Sequence, residues 1–139
     1  SWIRQNSKAK FDKDGILAGR GNRNEIIFEQ AQELFSNRPN QNILSFDVND
    51  FDVSFARGLS LEDGAATLTE FTGKLLAEAT LNYISKLNRK PKKILVCGGG
   101  RKNKVLMKAI QNKLPQKIKM KLIIFSGIHT TRFYITIGT

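Results

Sequence analysis

Three consecutive glycines, Gly98-Gly99-Gly100, follow a short apolar run at Lys93–Cys97 and precede Asn103. A strand that leads through glycines into a helix lets backbone N–H groups approach phosphate or nucleoside oxygens, because a Cβ would collide with the ligand. The spacing is not the G-x-G-x-x-G of dinucleotide sites, and no Gly-Lys-Ser/Thr of a phosphate loop follows. Close packing at a strand-to-helix turn explains the same glycines equally well. Both interpretations stay open from these residues alone.

Carboxylates occur in two other patterns that could do chemistry. Asp47, Asp50 and Asp52 are interleaved with phenylalanines, and such spaced acids could serve acid–base or metal chemistry. A loop that turns its phenylalanines inward and its acids outward is the interpretation we favour. The Asp-x-Asp-Gly at residues 12–15 has the start of a calcium loop without its later ligands, so we predict a turn there.

Three single residues have weaker claims to a role. His129 is the only histidine, and no nucleophile lies near it in the sequence, so a surface loop is favoured over catalysis. Cys97 ends the apolar run and is predicted to be packed and inert. Trp2 could stack on a ligand, but we favour a place in the core.

The charge of the chain is divided unevenly along its 139 residues. Residues 1–78 contain all twelve acidic residues and nine basic ones, a net charge of −3, whereas residues 79–139 contain fourteen Lys or Arg and no acid. A nucleic-acid-binding module over residues 86–121 would use such charge to displace counterions from phosphates. We favour a solvated surface, because no aromatic residues are interleaved with the basic ones.

The overall composition indicates one soluble globular domain. The chain is 40% hydrophobic and 25% charged, which is ordinary for a folded protein. No apolar run reaches the roughly 18–20 residues that cross a bilayer. The single cysteine rules out an internal disulfide and fits a reducing cytoplasm.

The elements that must position the glycine turn are predicted to form an α/β layer. Ser60 and Asn103 are good helix N-caps, and Lys93–Cys97 is β-branched and apolar, as in a strand buried on both faces. The predicted elements are, in chain order, a helix from 24 to about 38, a helix from 60 to about 88, a strand at 93–97, a helix from 103 to 114, and strands at 117–125 and 132–137.

Two motifs in this order resemble the anhydro-N-acetylmuramic acid kinases, a family of the actin-like ATPase and sugar-kinase superfamily. The first is GLSLEDGAATLTEFT at residues 58–72, and the second is LVCGGGRKN at 95–103. Upstream, FDKDGILA at 11–18 and the Gly21-x-x-Asn24 that follows it resemble the family's D-x-D-G-x-x-A and G-x-x-N. The resemblance covers residues from about 10 to about 115.

The resemblance implies a specific reaction. Family members use ATP and Mg²⁺ to phosphorylate 1,6-anhydro-N-acetylmuramic acid at O6, while water opens the anhydro ring to give N-acetylmuramic acid 6-phosphate in peptidoglycan recycling. The glycine turn contacts the adenosine side, so Gly98, Gly99, Gly100 and Asn103 become the candidate cofactor-binding residues. No catalytic or metal residue is assigned. The implied partners are ATP and the anhydro amino sugar, with no membrane or nucleic acid, and a homodimer stays open.

Departures from the family pattern limit that expectation. The family's G-T-S-x-D-G phosphate loop and the catalytic aspartate of its D-T-G-P-x-N motif do not occur. RPNQNILS at 38–45 replaces a P-x-P-K-S-x-x-R-x-x-F segment, and an acidic helix expected after about residue 119 is missing. We therefore expect residues 1–115 to form an incomplete C-terminal lobe of an actin-like (ribonuclease H-like) sugar kinase, inactive alone. Residues 116–139 are expected to be a divergent tail of the kind that a frameshift produces, and an inactive remnant is the remaining hypothesis.

Overall fold

A computed structural model describes residues 2–36 and 54–122, together with the backbone of 134–138. Within these ranges the chain combines α-helices, three short 3₁₀ helices (Lys13–Gly15, Ser54–Ala56 and Gly99–Lys102) and one small sheet. The helices and strands are α1 (Trp2–Asn6), α2 (Ile16–Arg20), α3 (Glu25–Ser36), α4 (Leu61–Ser85), β1 (Lys93–Cys97), α5 (Lys104–Lys113), β2 (Lys119–Leu122) and β3 (Tyr134–Gly138).

The long helix α4 begins where its N-cap predicts. The Ser60 hydroxyl accepts the backbone N–H of Asp63 at 3.1 Å, which satisfies one of the free donors of the first turn. The helix ends at Ser85, three residues before the predicted end. There the ammonium of Lys90 donates to the Ile84 carbonyl at 3.2 Å, so a cation closes the negative end of the helix.

The sheet confirms a small α/β arrangement. β1 lies in the centre, parallel to β2 on one side and antiparallel to β3 on the other. The connection from β1 to the parallel β2 runs through α5, as a parallel pair requires. β2 begins at Lys119, two residues after its predicted start, and β3 covers 134–138 where 132–137 was predicted.

The core lies between the inner face of the sheet and helices α4 and α5. Ile94 and Val96 of β1 are almost completely buried with Ala77 of α4 and Ile110 of α5. Cys97, at the end of the strand, is buried as predicted.

A second cluster forms around Trp2, which confirms its predicted place in the core. The indole N–H donates to the Leu61 carbonyl at 3.1 Å. The ring lies over Gly64, where a Cβ would overlap ring atoms. Glycine at this position therefore makes room for the tryptophan.

Several sequence predictions fall outside the described residues. They are those for Asp47, Asp50 and Asp52, for the replaced segment at 38–45, for His129 and for the strand end at 123–125.

Candidate functional site

The glycine turn after β1 has two different reasons for its glycines. Gly98 has φ of 91° and ψ of 175°, a conformation that side chains rarely adopt. Gly99 is exposed and its φ is not in that region, and apart from its chain neighbours no heavy atom lies within 4 Å of the place where its Cβ would be. Backbone geometry therefore explains Gly98, whereas neither geometry nor packing within the fold requires glycine at position 99.

Two side chains close the turn and start the next helix. The guanidinium of Arg101 donates to the Gly98 carbonyl at 2.6 Å. The Asn103 side-chain oxygen accepts the Leu106 N–H at 3.0 Å, which confirms Asn103 as the N-cap of α5. The N-terminal, positively polarised end of α5 thus follows directly on the glycine turn.

A second turn, residues 12–15, packs against Asn103. Gly15 has φ of 77°, and a Cβ there would overlap the Asn103 side-chain oxygen. The Asp12 carboxylate uses both oxygens on backbone N–H groups, those of Leu17 at 2.8 Å and Ala18 at 2.9 Å. These bonds confirm the turn that the sequence predicts here.

The approach of this second turn to Asn103 is the feature of the site that the sequence prediction missed. The 87 residues between Gly15 and Asn103 contain no local pattern that pairs the two turns. Asp14, in the same turn, has φ of 57° and is the only non-glycine residue with positive φ among the described residues.

The Gly21-x-x-Asn24 stretch fastens the next loop to α4. The N–H of Asn22 donates to the Asp63 carboxylate at 2.8 Å, and that of Asn24 donates to the Thr67 hydroxyl at 3.0 Å. A Cβ on Gly21 would overlap the backbone of α4, so close approach explains this glycine. The motif residues upstream therefore support the helix that precedes β1.

Arg23 ties the same loop to two helices. Its guanidinium pairs with Glu25 at 2.7 Å and with Glu70 at 2.9 Å, and it lies 4.4 Å from the centre of the Phe28 ring. The hydrogen bond to Glu25 and the charge of Glu70 raise the pKa of Arg23 above its ordinary value. Arg23 is therefore charged at every pH at which the protein would be studied, and its role here is structural.

The described ranges contain neither a metal cluster nor a membrane span. Over residues 2–36 and 54–122, no three His, Cys, Asp or Glu side chains gather in a group that could hold a metal ion. No helix in the described part of the chain is long and apolar enough to cross a bilayer.

Comparison with known proteins gives one consistent family. The family described as Anhydro-N-acetylmuramic acid kinase matches residues 1–128. The relative of that name from Pelagibacter ubique is 43% identical over 122 residues, which are 88% of this chain and 32% of the relative. That from Zymomonas mobilis is 33% identical over 120 residues, 85% of this chain and 31% of the relative.

The chain spans about a third of the length of the curated relatives that it matches. The match extends past residue 115 to residue 128, so it includes the start of the segment predicted to diverge. The motifs at the glycine turn, at the turn of residues 12–15 and at the start of α4 all lie inside the matched range. This chain belongs to the anhydro-N-acetylmuramic acid kinase family.

Proposed function

We propose that this chain is the part of an ATP-dependent kinase that holds the adenosine side of the nucleotide, within an actin-like C-terminal lobe. The kinase would transfer the terminal phosphoryl group to O6 of 1,6-anhydro-N-acetylmuramic acid in the cytoplasm. Membership of the family supports the reaction. The observation that carries the proposal is the open space at Gly99, since nothing inside the fold requires glycine there.

The position of Gly99 in the fold is typical of a nucleotide-binding turn. The turn leaves the carboxyl end of β1 and enters the N-terminus of α5, where ligands of open α/β sheets commonly bind. The positive end of the α5 helix dipole favours an electron-rich ligand there. Asn103 uses its side-chain oxygen as a cap, so we propose that its amide nitrogen donates to the ligand. The close approach of Gly15 to the Asn103 side chain would help to hold that nitrogen in place.

The described residues do not gather carboxylates for Mg²⁺. Mg²⁺ is commonly held by one or two carboxylates together with the substrate phosphates. We therefore propose that the ion enters with ATP and that its protein ligands are not among the described residues. The ion would neutralise charge that develops on the transferred phosphoryl group.

None of the described residues is assigned as the base that activates the attacking oxygen. The motif that carries this aspartate in the family does not occur in the sequence. We therefore propose that the chain contributes binding and orientation and gives no turnover when tested alone. Orientation of the reactants provides a substantial part of the rate acceleration in phosphoryl transfer, because the protein itself has little covalent chemistry to do.

The proposal is tested by isothermal titration of the purified chain with ATP and Mg²⁺. Gly99→Asp is expected to weaken binding about tenfold or more, because the added side chain fills the approach to the backbone and its charge repels the negatively charged nucleotide. Gly99→Asn is the matched control, with nearly the same size and no charge, and it should show the steric part alone. Thermal melts check that both variants fold, as the open space predicts.

Equal affinities for the wild type and Gly99→Asp would remove the glycine turn from the site. Binding by neither the wild type nor the variants would reject the proposal that this chain holds nucleotide by itself.

A further inference from the structure

One face of the sheet carries lysines in direct register. Ile94, Val96 and Met120 point toward α4 and α5, so by strand alternation the opposite face carries Lys93, Leu95, Lys119 and Lys121. Lys93 lies directly beside Lys119, and Leu95 beside Lys121. All three lysines are exposed and Leu95 is half-buried. We name these four residues the lysine face.

The lysine face is electrostatically unfavourable as it stands. Neighbouring strands are about 4.8 Å apart, and residues two apart on a strand are separated by about 6.6 Å. Like charges at these distances repel each other. No acidic residue occurs anywhere in residues 79–139, and among the described residues none of these lysines forms an ion pair. A partner with acids at matching distances would relieve the repulsion.

Helix α3 carries such acids on its solvent side. Glu29 and Glu33 are exposed and one turn apart, and among the described residues neither forms an ion pair. Beside them on the same side lie Ile26, 69% exposed, and Leu34, 61% exposed. We name these four residues the acidic face of α3. Phe28 and Ala31 on the other side are buried, so the acidic face is not needed to hold the helix in the fold.

The two faces match in spacing as well as in charge. Residues four apart on a helix are separated by about 6.0 Å along its axis, close to the roughly 6.6 Å between Lys119 and Lys121. The apolar side chains of Ile26 and Leu34 would cover Leu95. We propose that the acidic face of α3 in one copy of this chain docks on the lysine face of a second copy.

The apolar residues favour a second copy over nucleic acid. A phosphate backbone would pair with the lysines and leave Ile26 and Leu34 exposed to water, whereas the self-contact buries apolar surface on both sides. The contact joins two different surfaces, so two copies can form it twice in a reciprocal two-fold pair, or successive copies can form it once each in a ring or chain. One twelve-residue helix buries little area, so the association is weak and salt-sensitive.

The experiment is sedimentation velocity on the full chain, up to concentrations on the order of 300 µM, because small interfaces are weak. We expect the mean mass to rise with concentration at low salt and to fall when salt is added. Glu29→Lys/Glu33→Lys and Lys119→Glu/Lys121→Glu should each raise the dissociation constant by about tenfold or more, because reversal makes the contact repulsive. Thermal melts verify that each variant is folded.

A mixture of the two reversed chains separates this contact from general charge effects. Each variant keeps one native face, and the two altered faces are complementary, so an equimolar mixture should associate although neither chain does alone. Lys104→Glu/Lys108→Glu on exposed positions of α5 is the matched control. This control changes the net charge by the same amount as Lys119→Glu/Lys121→Glu does. It should leave association unchanged.

Three results would overturn the proposal. One is a wild-type chain that stays monomeric at low salt over the whole concentration range. The second is an α5 control that weakens association as much as the reversed sheet does. The third is a monomeric wild type that binds duplex DNA through the lysine face, with binding lost in Lys119→Glu/Lys121→Glu. That last result would assign the face to nucleic acid.

Discussion

At the scale of single residues, two helical glycines differ in what an added methyl group would meet. Gly64 lies under the Trp2 ring, whereas a Cβ on Gly19 would lie 3.7 Å from a methyl group of Val105, an ordinary contact. Helix propensity alone predicts that alanine stabilises both positions. Packing reverses this expectation at Gly64, because the Trp2 ring cannot move away from an added Cβ without breaking its hydrogen bond to the Leu61 carbonyl.

We therefore expect Gly64→Ala to lower the free energy of unfolding by about 1–3 kcal/mol, the usual cost of overpacking. Gly19→Ala, the control, should leave it unchanged or raise it by up to about 1 kcal/mol, because the helix loses a flexible residue. Urea unfolding followed by far-UV circular dichroism measures both. Equal effects of the two substitutions would show that Trp2 is not packed on Gly64.

The sequence indicates some of these single-residue roles and not others. Capping by Ser60 and Asn103 is local, so it can be predicted from the residue type and from the three positions that follow. The overlap between Gly15 and Asn103, or between Gly64 and Trp2, joins residues far apart in the chain. Such contacts depend on how α1, α2 and α5 pack on α4, which no local pattern specifies.

At the scale of elements, α5 depends on its N-cap residue, Asn103. Asn103→Ala should lower the free energy of unfolding by about 1 kcal/mol, because a backbone donor of the first turn loses its partner. Asn103→Asp keeps an accepting oxygen and adds a charge that the helix dipole favours, so its stability should stay near that of the wild type. Urea unfolding separates the two, and equal losses would show that capping is not what Asn103 contributes.

The same pair of variants bears on the proposed ligand. Asparagine and aspartate both cap the helix, but only asparagine offers an N–H donor. If the amide nitrogen touches the nucleotide, Asn103→Asp should bind ATP more weakly at unchanged stability.

Helices α3, α4 and α5 and strand β1 were the most predictable elements, because each carries its own signal, whereas the five-residue helices α1 and α2 were not predicted. Helix α3 shows the three- and four-residue spacing of its apolar side chains, and β1 shows a short apolar run. The ends were less predictable. Helix α4 ends at Ser85, and the Lys90 side chain donates to the carbonyls of Ile84 and Ser85, an arrangement that spacing alone does not reveal. The pairing of β3 antiparallel to β1 is likewise a long-range property.

At the scale of the whole molecule, the uneven charge should make stability depend on salt. Lys119→Gln removes a charge that lies beside Lys93, so it should raise the free energy of unfolding by a few tenths to about 1 kcal/mol. Lys113→Gln makes the same change at the C-terminal end of α5, where a cation is favourable, and should lower it by about 0.3–1 kcal/mol.

Thermal melts at low and high salt measure both effects. Added salt screens exposed charges and should shrink the difference between the two variants. A change of the same sign in both would mean that total charge, rather than the register of β1 and β2, sets the salt response.

The buried position of Trp2 gives the protein a built-in optical signal. It is the only tryptophan in the chain, and its cluster includes Ala18, just after the turn of residues 12–15, and is packed by Val105 in the first turn of α5. Its fluorescence therefore comes from one known place, next to both turns that meet at Asn103. Any ligand that shifts those turns is reported by an emission that needs no dye and no label.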